Sequence, residues 1–510
     1  MFNELRVQVR SQETVFEPAS RASAVLVLNA FNDGGAQIDG TAQEATAMVA
    51  DDLDIAAGKH AVRTGFLVES GRYSTDVRRN ATGTFTFESL DAFGNSRPTT
   101  FTWNAGNPHV SISQTQIGAY VQDDYRASKS LTVSGGIRQE YQSNIGSLHL
   151  GPRGGVVWSP FKDGKTTVRA GGGVFFDWFD ATLYEQAVQL DGAHQQIRTI
   201  EQPGYPDALT GASAVVLPNG RVQLASDLTQ PILTEATIGV ERQLASFVRT
   251  SGMLIRRRGC RQLRGVNLNA PGLDGVRPDP TAGAVTNVES TGFVSFDAVS
   301  FNVNVTRPDK RIFIAANYML GRARNDADSP FSVAANANDL AAERGPSLTD
   351  ARHRAMGFAN LPLFRAFTLG TSFRIQSALP YNITTGRDDN GDTLSNDRPA
   401  GVTRNTARGA ATIDVGARLS WRIGFGGPAT ATTGPQVHIV RAGADSNPLD
   451  MMGGVPTGKR YSVELYAQAF NVLNRVNALN FSGVMTSPFF GRATSAAPPR
   501  RIELGARVNF

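Results

Sequence analysis

The chain has 510 residues, with 50 Lys and Arg against 45 Asp and Glu; its formal net charge is only +5 and its charges are scattered, which excludes a nucleic-acid-binding stripe. Mean hydropathy is −0.22 and no run of 18 apolar residues occurs, which excludes a membrane-spanning helix. The lone cysteine, Cys260, excludes an internal disulfide framework, while 52 Gly and 28 Phe spread over short alternating runs favour an all-β chain.

In chain order, strands are expected near 2–12, 22–34, 43–56, 60–76, 110–126 and 130–144. Further strands are expected near 151–160, 165–178, 232–244, 246–258, 293–306 and 311–323. The last five fall near 350–362, 366–378, 410–423, 459–474 and 500–510, making about seventeen in all. The first strand begins at the N-terminus itself, in "MFNELRVQVR", with no apolar signal-peptide core.

Many of these strands alternate with period two. In "TIDVGARLSWRI", Ile413, Val415, Ala417, Leu419, Trp421 and Ile423 share one face, and Asp414, Gly416, Arg418, Ser420 and Arg422 the other. "FTLGTSFRIQ" (367–376) and the terminal "IELGARVNF" (502–510) divide the same way. Side chains cannot fill a barrel of so many strands. The apolar faces therefore point outward to lipid and the charged faces line a wet lumen, as in an antiparallel transmembrane β-barrel.

The connections support this fold. Short ones, such as "RASKS" (126–130), "SPFKDGK" (159–165) and "TRPDKR" (306–311), alternate with long ones at 179–230, 259–292, 324–349, 379–409 and 475–499. Short periplasmic turns and long external loops are the asymmetry of outer-membrane barrels. Two links break the rhythm: 144–151 is short where a long one is due, and 424–458 is long where a short one is due. All six lysines (Lys59, Lys129, Lys162, Lys165, Lys310, Lys459) fall at the proposed periplasmic connections. Trp158 and Trp421 are placed at that rim and Trp103 and Trp178 at the other, as an aromatic girdle would require.

No chemistry of an enzyme stands out. The six His residues lack zinc-ligand spacing, and "AGGGVFFD" (170–177) lacks the G-x-G-x-x-G phosphate motif. The best small constellation is "GRDDNGDTLSNDRP" (386–399), where Asp388, Asn390, Asp392 and Asp397 offer oxygens to a hard cation such as Ca²⁺. It departs from an EF-hand at Thr393 and Pro399, and a local Asx-turn network reads the same residues. The densest basic run, "RRRGCRQLR" (256–264), suits an acidic ligand, lipopolysaccharide phosphates or a solvated strand end.

"IGAYVQDDYRASKSLTVSGGIRQEY" and "GPRGGVVWSPFKDGKTTVRAGGGVFFDWF" resemble the barrel of TonB-dependent outer-membrane receptors, especially the Oar-like branch. "PYNITTGRDDNGDTLSNDRPAGVTRN" and "YSVELYAQAFNVLNRVN" are similar to later segments of the same barrels, so the likeness runs over most of 40–510. The terminal Phe510 is similar to the signal read by the barrel-assembly machinery. The resemblance implies a 22-stranded barrel in the bacterial outer membrane, a plug, and a TonB box through which the TonB complex pulls. No plug, signal peptide or regulatory-like domain is read in 1–510, so the chain is expected to be the C-terminal portion of a receptor barrel, or a product with a misplaced start. The expected role is transport or reception of an unidentified ligand, without an organic cofactor, among outer-membrane lipid and lipopolysaccharide. The alternatives are a passive porin-like channel, a surface adhesion barrel, and a soluble, secreted β-rich glycan-binding protein.

Overall fold

The structure, a computed structural model, describes residues 1–28, 30–35, 38–145, 148–208, 210, 215–364, 366–428 and 458–509, without the side chains of 215–219 and 509. Sixteen long strands form an antiparallel sheet in sequence order. They are β1 (Phe2–Phe16), β2 (Ile38–Ala57), β3 (His60–Arg79), β4 (Val110–Arg126), β5 (Leu131–Gln142), β6 (Leu148–Trp158), β7 (Thr166–Phe176) and β8 (Ile232–Ala245). The second half comprises β9 (Val248–Asn267), β10 (Ala282–Arg307), β11 (Ile312–Asn325), β12 (His353–Pro362), β13 (Phe367–Gln376), β14 (Thr412–Pro428), β15 (Lys459–Phe470) and β16 (Arg501–Asn509). Each pairs with its sequence neighbours; β1 pairs only with β2, and β16 only with β15, among the described residues.

The expected seventeenth strand, 22–34, is not in this wall. "AVLV" (Ala24–Val27) folds back on Phe31–Gly34 and pairs in parallel with Thr84–Phe87 in the external loops. Its continuous apolar run marks a strand buried on both faces rather than one facing lipid on one side. Removing it gives an even count, and β1 runs from the short-turn rim toward the long loops. The 259–292 loop also shrinks, because β9 continues to Asn267 and β10 starts at Ala282. Beyond the bilayer these ends pack beneath the folded loops, with Val266, Asn267, Val285 and Val288 buried, so alternation stops reporting the strand although its ladder continues. Residues 429–457, most of the proposed 424–458 insertion, lie outside the described residues, as does Phe510.

The faces are inverted relative to a soluble protein. Leu419 is 41% exposed on the outer face, whereas Arg418 beside it on the lumen face is 1% exposed. Ile238, Leu254, Phe301, Val303 and Ile502 are likewise exposed. On the lumen side Arg63 Nε donates to Asp54 Oδ1 at 2.5 Å, Arg6 meets Asp52, and Arg418 and Arg422 flank Glu464 at 3.1 and 2.6 Å. Asp51 departs from the rule: in register with Leu5 and Phe66 on the outer face, it accepts from Asn3 Nδ2 at 3.0 and 3.1 Å. The glycines of "AGGG" lie mid-strand opposite Gly154 and Gly155, thinning the wall there rather than cradling phosphate.

The hairpins at one rim are tight. Gly58, at φ +61°, closes a two-residue link between Ala57 and His60, a conformation that suits glycine. The other rim carries folded loops, and the apolar core lies there rather than in the barrel. Val25, Val27, Phe85, Phe87 and Ile200 are buried together, with Trp103 and Tyr205 packed on them. Trp103 thus belongs to this external core, not to an interfacial girdle; its strand is half-buried on both faces, which again hid that from the alternation. Trp158 does sit exposed at the short-turn rim. A helix, Ala181–Gln189, capped by Asp180 Oδ1 accepting from Thr182 N at 2.8 Å, is tied down by Gln189 Nε2 donating to Val77 O and Pro108 O at 2.8 and 2.9 Å.

Candidate functional site at the long-loop mouth

Three features converge on the long-loop rim. The first is a knot of buried ion pairs between the loop after β11 and the loop after β13. Arg398 forks onto Glu343 with N–O distances of 2.9 and 2.6 Å, and Arg404 Nη2 lies 2.6 Å from Asp328 Oδ1 while its Nη1 donates to Glu343 O at 3.2 Å. Asn405, fully buried, donates from Nδ2 to Pro346 O at 3.0 Å. Charges buried like this hold only when paired and hydrogen-bonded. They fix the two loops against each other.

The 386–399 segment sits on this knot. Asp388 accepts from the backbone N–H groups of Gly391, Asp392 and Thr393 at 2.7, 3.1 and 2.8 Å. Asp397 accepts from Asp389 N at 2.7 Å and Asn390 Nδ2 at 2.8 Å, and Asn390 Oδ1 accepts from Asp392 N at 2.9 Å. The four residues singled out as oxygen donors are therefore brought together, with their oxygens turned to N–H donors as in an Asx-turn network. Among the described residues no three His, Cys, Asp or Glu side chains converge to hold a metal ion. One oxygen stays unanswered: Asp392 is 1% exposed, its Oδ1 accepts from Leu394 N at 2.9 Å, and its Oδ2 has no partner among the described residues.

Burial, reinforced by the carboxylates of Asp388 and Asp397, pushes the Asp392 carboxyl up to about 6 from 3.8, against the pull of the Leu394 N–H. The folded loop thus holds this proton more tightly than the unfolded chain. The stability it confers is present at low pH and is lost as pH rises through about 6, on the order of 2–3 kcal/mol. Amide exchange of 386–399, corrected for intrinsic rates, is expected to be slower at pH 5 than at pH 7.5. Asp392→Asn should erase the difference; equal protection at both pH values in the native protein would contradict the assignment.

The second feature is a row of arginines on the outer face. The apolar stripe ends at Leu254 on β9, Val299 on β10 and Leu320 on β11; the next outward residues are Arg256, Asp297 and Arg322, which are aligned in register. Arg256, Asp297, Arg322 and Arg352 rim a shallow hollow of about 900 Å³ floored by Ile238, Leu254, Val299 and Leu320. Arg258 Nη2 lies 2.7 Å from Asp297 Oδ2. The "RRRGCRQLR" run is thereby split: Arg256 and Arg258 face outward, Arg257 turns inward to Glu235 at 2.5 Å, and Arg264 meets Asp326 at 3.3 Å. Cys260 is exposed and free.

The third is a cavity of about 830 Å³ on the lumen side of the mouth, between the loop after β13 and the loop after β15. Charged strand-end residues form its floor and Leu379, Tyr381, Leu479 and Phe481 part of its wall. From the sequence, ligand contacts are expected from 179–230, 259–292, 324–349 and 379–409 plus lumen residues; the cavity draws on 379–409 and the lumen, and also on the 475–499 loop. Its aromatic and proline residues are spaced without period, so nothing in the sequence alone marks them as a wall.

An outward apolar band, a charged lumen and elaborated loops at one rim define an integral outer-membrane β-barrel. A family model described as "Outer membrane beta barrel domain" matches residues 10–149 and 144–503. The chain belongs to that family, and the protein resides in the bacterial outer membrane. No curated protein sequence matches it. Its fold is similar to the outer membrane transporter YddB from Escherichia coli (12% identity, TM-score 0.60, 99% of this chain and 60% of that one). It is also similar to the siderophore receptor PirA from Acinetobacter baumannii (11%, TM-score 0.58, 99% and 59%) and to a mutant of the ferric enterobactin receptor PfeA from Pseudomonas aeruginosa (12%, TM-score 0.59, 99% and 59%). The chain spans about 60% of the length of these receptors. At the level of fold they agree with the resemblance drawn from sequence.

Proposed function

We propose that this barrel is the ligand-taking part of a TonB-dependent type of receptor: the external loops gather a ligand at the mouth, and the charged lumen gives it a wet path inward. Its role is binding and passage rather than catalysis. Energised passage depends on a plug and a TonB box belonging to the same receptor, with the TonB complex as partner; barrel-assembly machinery would insert it. The carrying observation is that a large lumen-side cavity opens beside the loop after β13, which buried ion pairs tie to the loop after β11. The rival reading is a passive porin-like channel. Liposomes carrying the full natural protein are expected not to swell in isotonic small sugars; swelling at a porin-like rate would replace the receptor by the channel.

Lipopolysaccharide is the proposed outer-leaflet partner of the arginine row. Arg322 and Arg352 are exposed and form no ion pair among the described residues, at the height where the apolar stripe ends. Phosphates over an acyl-chain hollow meet both halves of that surface. Replacing both with glutamine should lower lipopolysaccharide co-purifying with the barrel several-fold while folding is unchanged; unchanged co-purification would remove this partner.

We also propose that Ca²⁺ neutralises Asp392 Oδ2 at neutral pH, a role a proton takes on acidification. The cation would displace N–H donors from Asp388 and Asp397. Millimolar Ca²⁺ at pH 7.5 should then protect 386–399 as acid does. Protection by acid but not by Ca²⁺ would leave only the proton.

A further inference from the structure

We propose that the lumen-side mouth cavity binds a small apolar zwitterion, most simply a short hydrophobic peptide with both termini free. Two opposite charges in this cavity decline each other. Arg374 on β13 and Asp414 on β14 are direct cross-strand partners on the lumen face, and both line the cavity. Both are exposed, and neither forms an ion pair or a side-chain hydrogen bond among the described residues.

At three other places in this wall the same arrangement closes. Arg63 and Asp54, Arg422 and Glu464, and Arg257 and Glu235 are also direct cross-strand partners. They meet at 2.5, 2.6 and 2.5 Å. Where it does not close, as at Arg264–Glu289, Asp39–Arg78 and Arg322–Asp297, one member is engaged by another partner. The Arg374–Asp414 couple is held open where the wall faces the cavity. Arg501, the other cation of the cavity, is engaged by Glu503 at 2.8 Å.

A ligand carrying an ammonium and a carboxylate a few ångströms apart satisfies both open charges at once. Antiparallel partners have Cα atoms roughly 4.5–5.5 Å apart, a span that the termini of a dipeptide match. Above the couple the walls turn apolar: the rings of Tyr381 and Phe481 stack at 5.9 Å with an interplanar angle of 19°. A cavity of about 830 Å³ has the size of small-molecule sites, which place a few polar groups in an apolar lining at the mouths of barrels. Asp414 rejects a purely anionic ligand, and Arg374 a purely cationic one.

The inference rests on the reading of the barrel as a ligand-taking receptor, yet binding is measured without passage. Calorimetric titration of the full natural protein in detergent micelles with the dipeptide Phe-Phe is the test, with N-acetyl-Phe-Phe and Phe-Phe amide as blocked forms. Blocking either terminus should weaken binding about tenfold or more. Arg374→Gln should weaken Phe-Phe by a similar factor but leave the amide unaffected; Asp414→Asn should weaken Phe-Phe but leave the N-acetyl form unaffected. Heat-modifiable gel mobility reports that each variant is folded. No binding of Phe-Phe, or equal binding of free and blocked forms, would overturn the site and leave the receptor reading standing. Selective binding by a barrel that proves to be a passive channel would do the reverse.

Discussion

Glu464→Ala is expected to destabilise the barrel by about 3–5 kcal/mol, the cost of leaving buried charge uncompensated. Glu464 has no exposed surface, and it answers Arg418 at 3.1 Å and Arg422 at 2.6 Å. Arg418 is itself held on both sides: its guanidinium lies 3.6 Å from the centroid of the Tyr466 ring, its Nη1 donates to Gln468 Oε1 at 3.2 Å, and its Nε donates to Ser420 Oγ at 3.2 Å. Truncating the acid strands one fully buried cation and one nearly so. Urea unfolding in lipid vesicles, followed by the heat-modifiable band, measures the loss. A change under about 1 kcal/mol would mean that water reaches these groups freely, as at an ordinary surface pair.

Phe301→Arg should cost about 2–4 kcal/mol in a bilayer, whereas Asn304→Arg, three residues away on the lumen face, should cost little. Phe301 is 52% exposed and lies between Val299 and Val303 on the outer stripe of β10. The comparison isolates the solvent, because both sites are exposed on one strand. Equal penalties would place water on both sides of the wall and end the membrane reading.

How much of this could be read from the residues depended on where water lies. Within the bilayer one face meets lipid and the other water, so the alternation in "TIDVGARLSWRI" and "FTLGTSFRIQ" reported faces and partners correctly. Above it the contrast disappears. Strand ends such as Gly265–Asn267 pack beneath the folded loops, and Val25, Phe85 and Trp103 pack within them, and period two is silent in both cases. The site suffered for the same reason. The oxygens of Asp388, Asn390, Asp392 and Asp397 were legible as a cluster, because they lie close in sequence. The Arg374–Asp414 couple was not, because cross-strand register joins residues 40 apart. The Glu343 knot joins segments equally remote, with Arg398 55 positions from its acid.

The hairpin rim has a property that bears on how the molecule can be handled. Every lysine of the chain lies there: Lys59, Lys129, Lys162, Lys165 and Lys310 in links between strands, and Lys459 at the foot of β15. The primary amines of the lysines therefore all belong to one compartment. Within residues 1–510, amine-directed cross-linkers will capture neighbours through lysine on the inner side alone, and a lysine-specific protease offered to intact cells finds no bond of these loops to cut, however long they are.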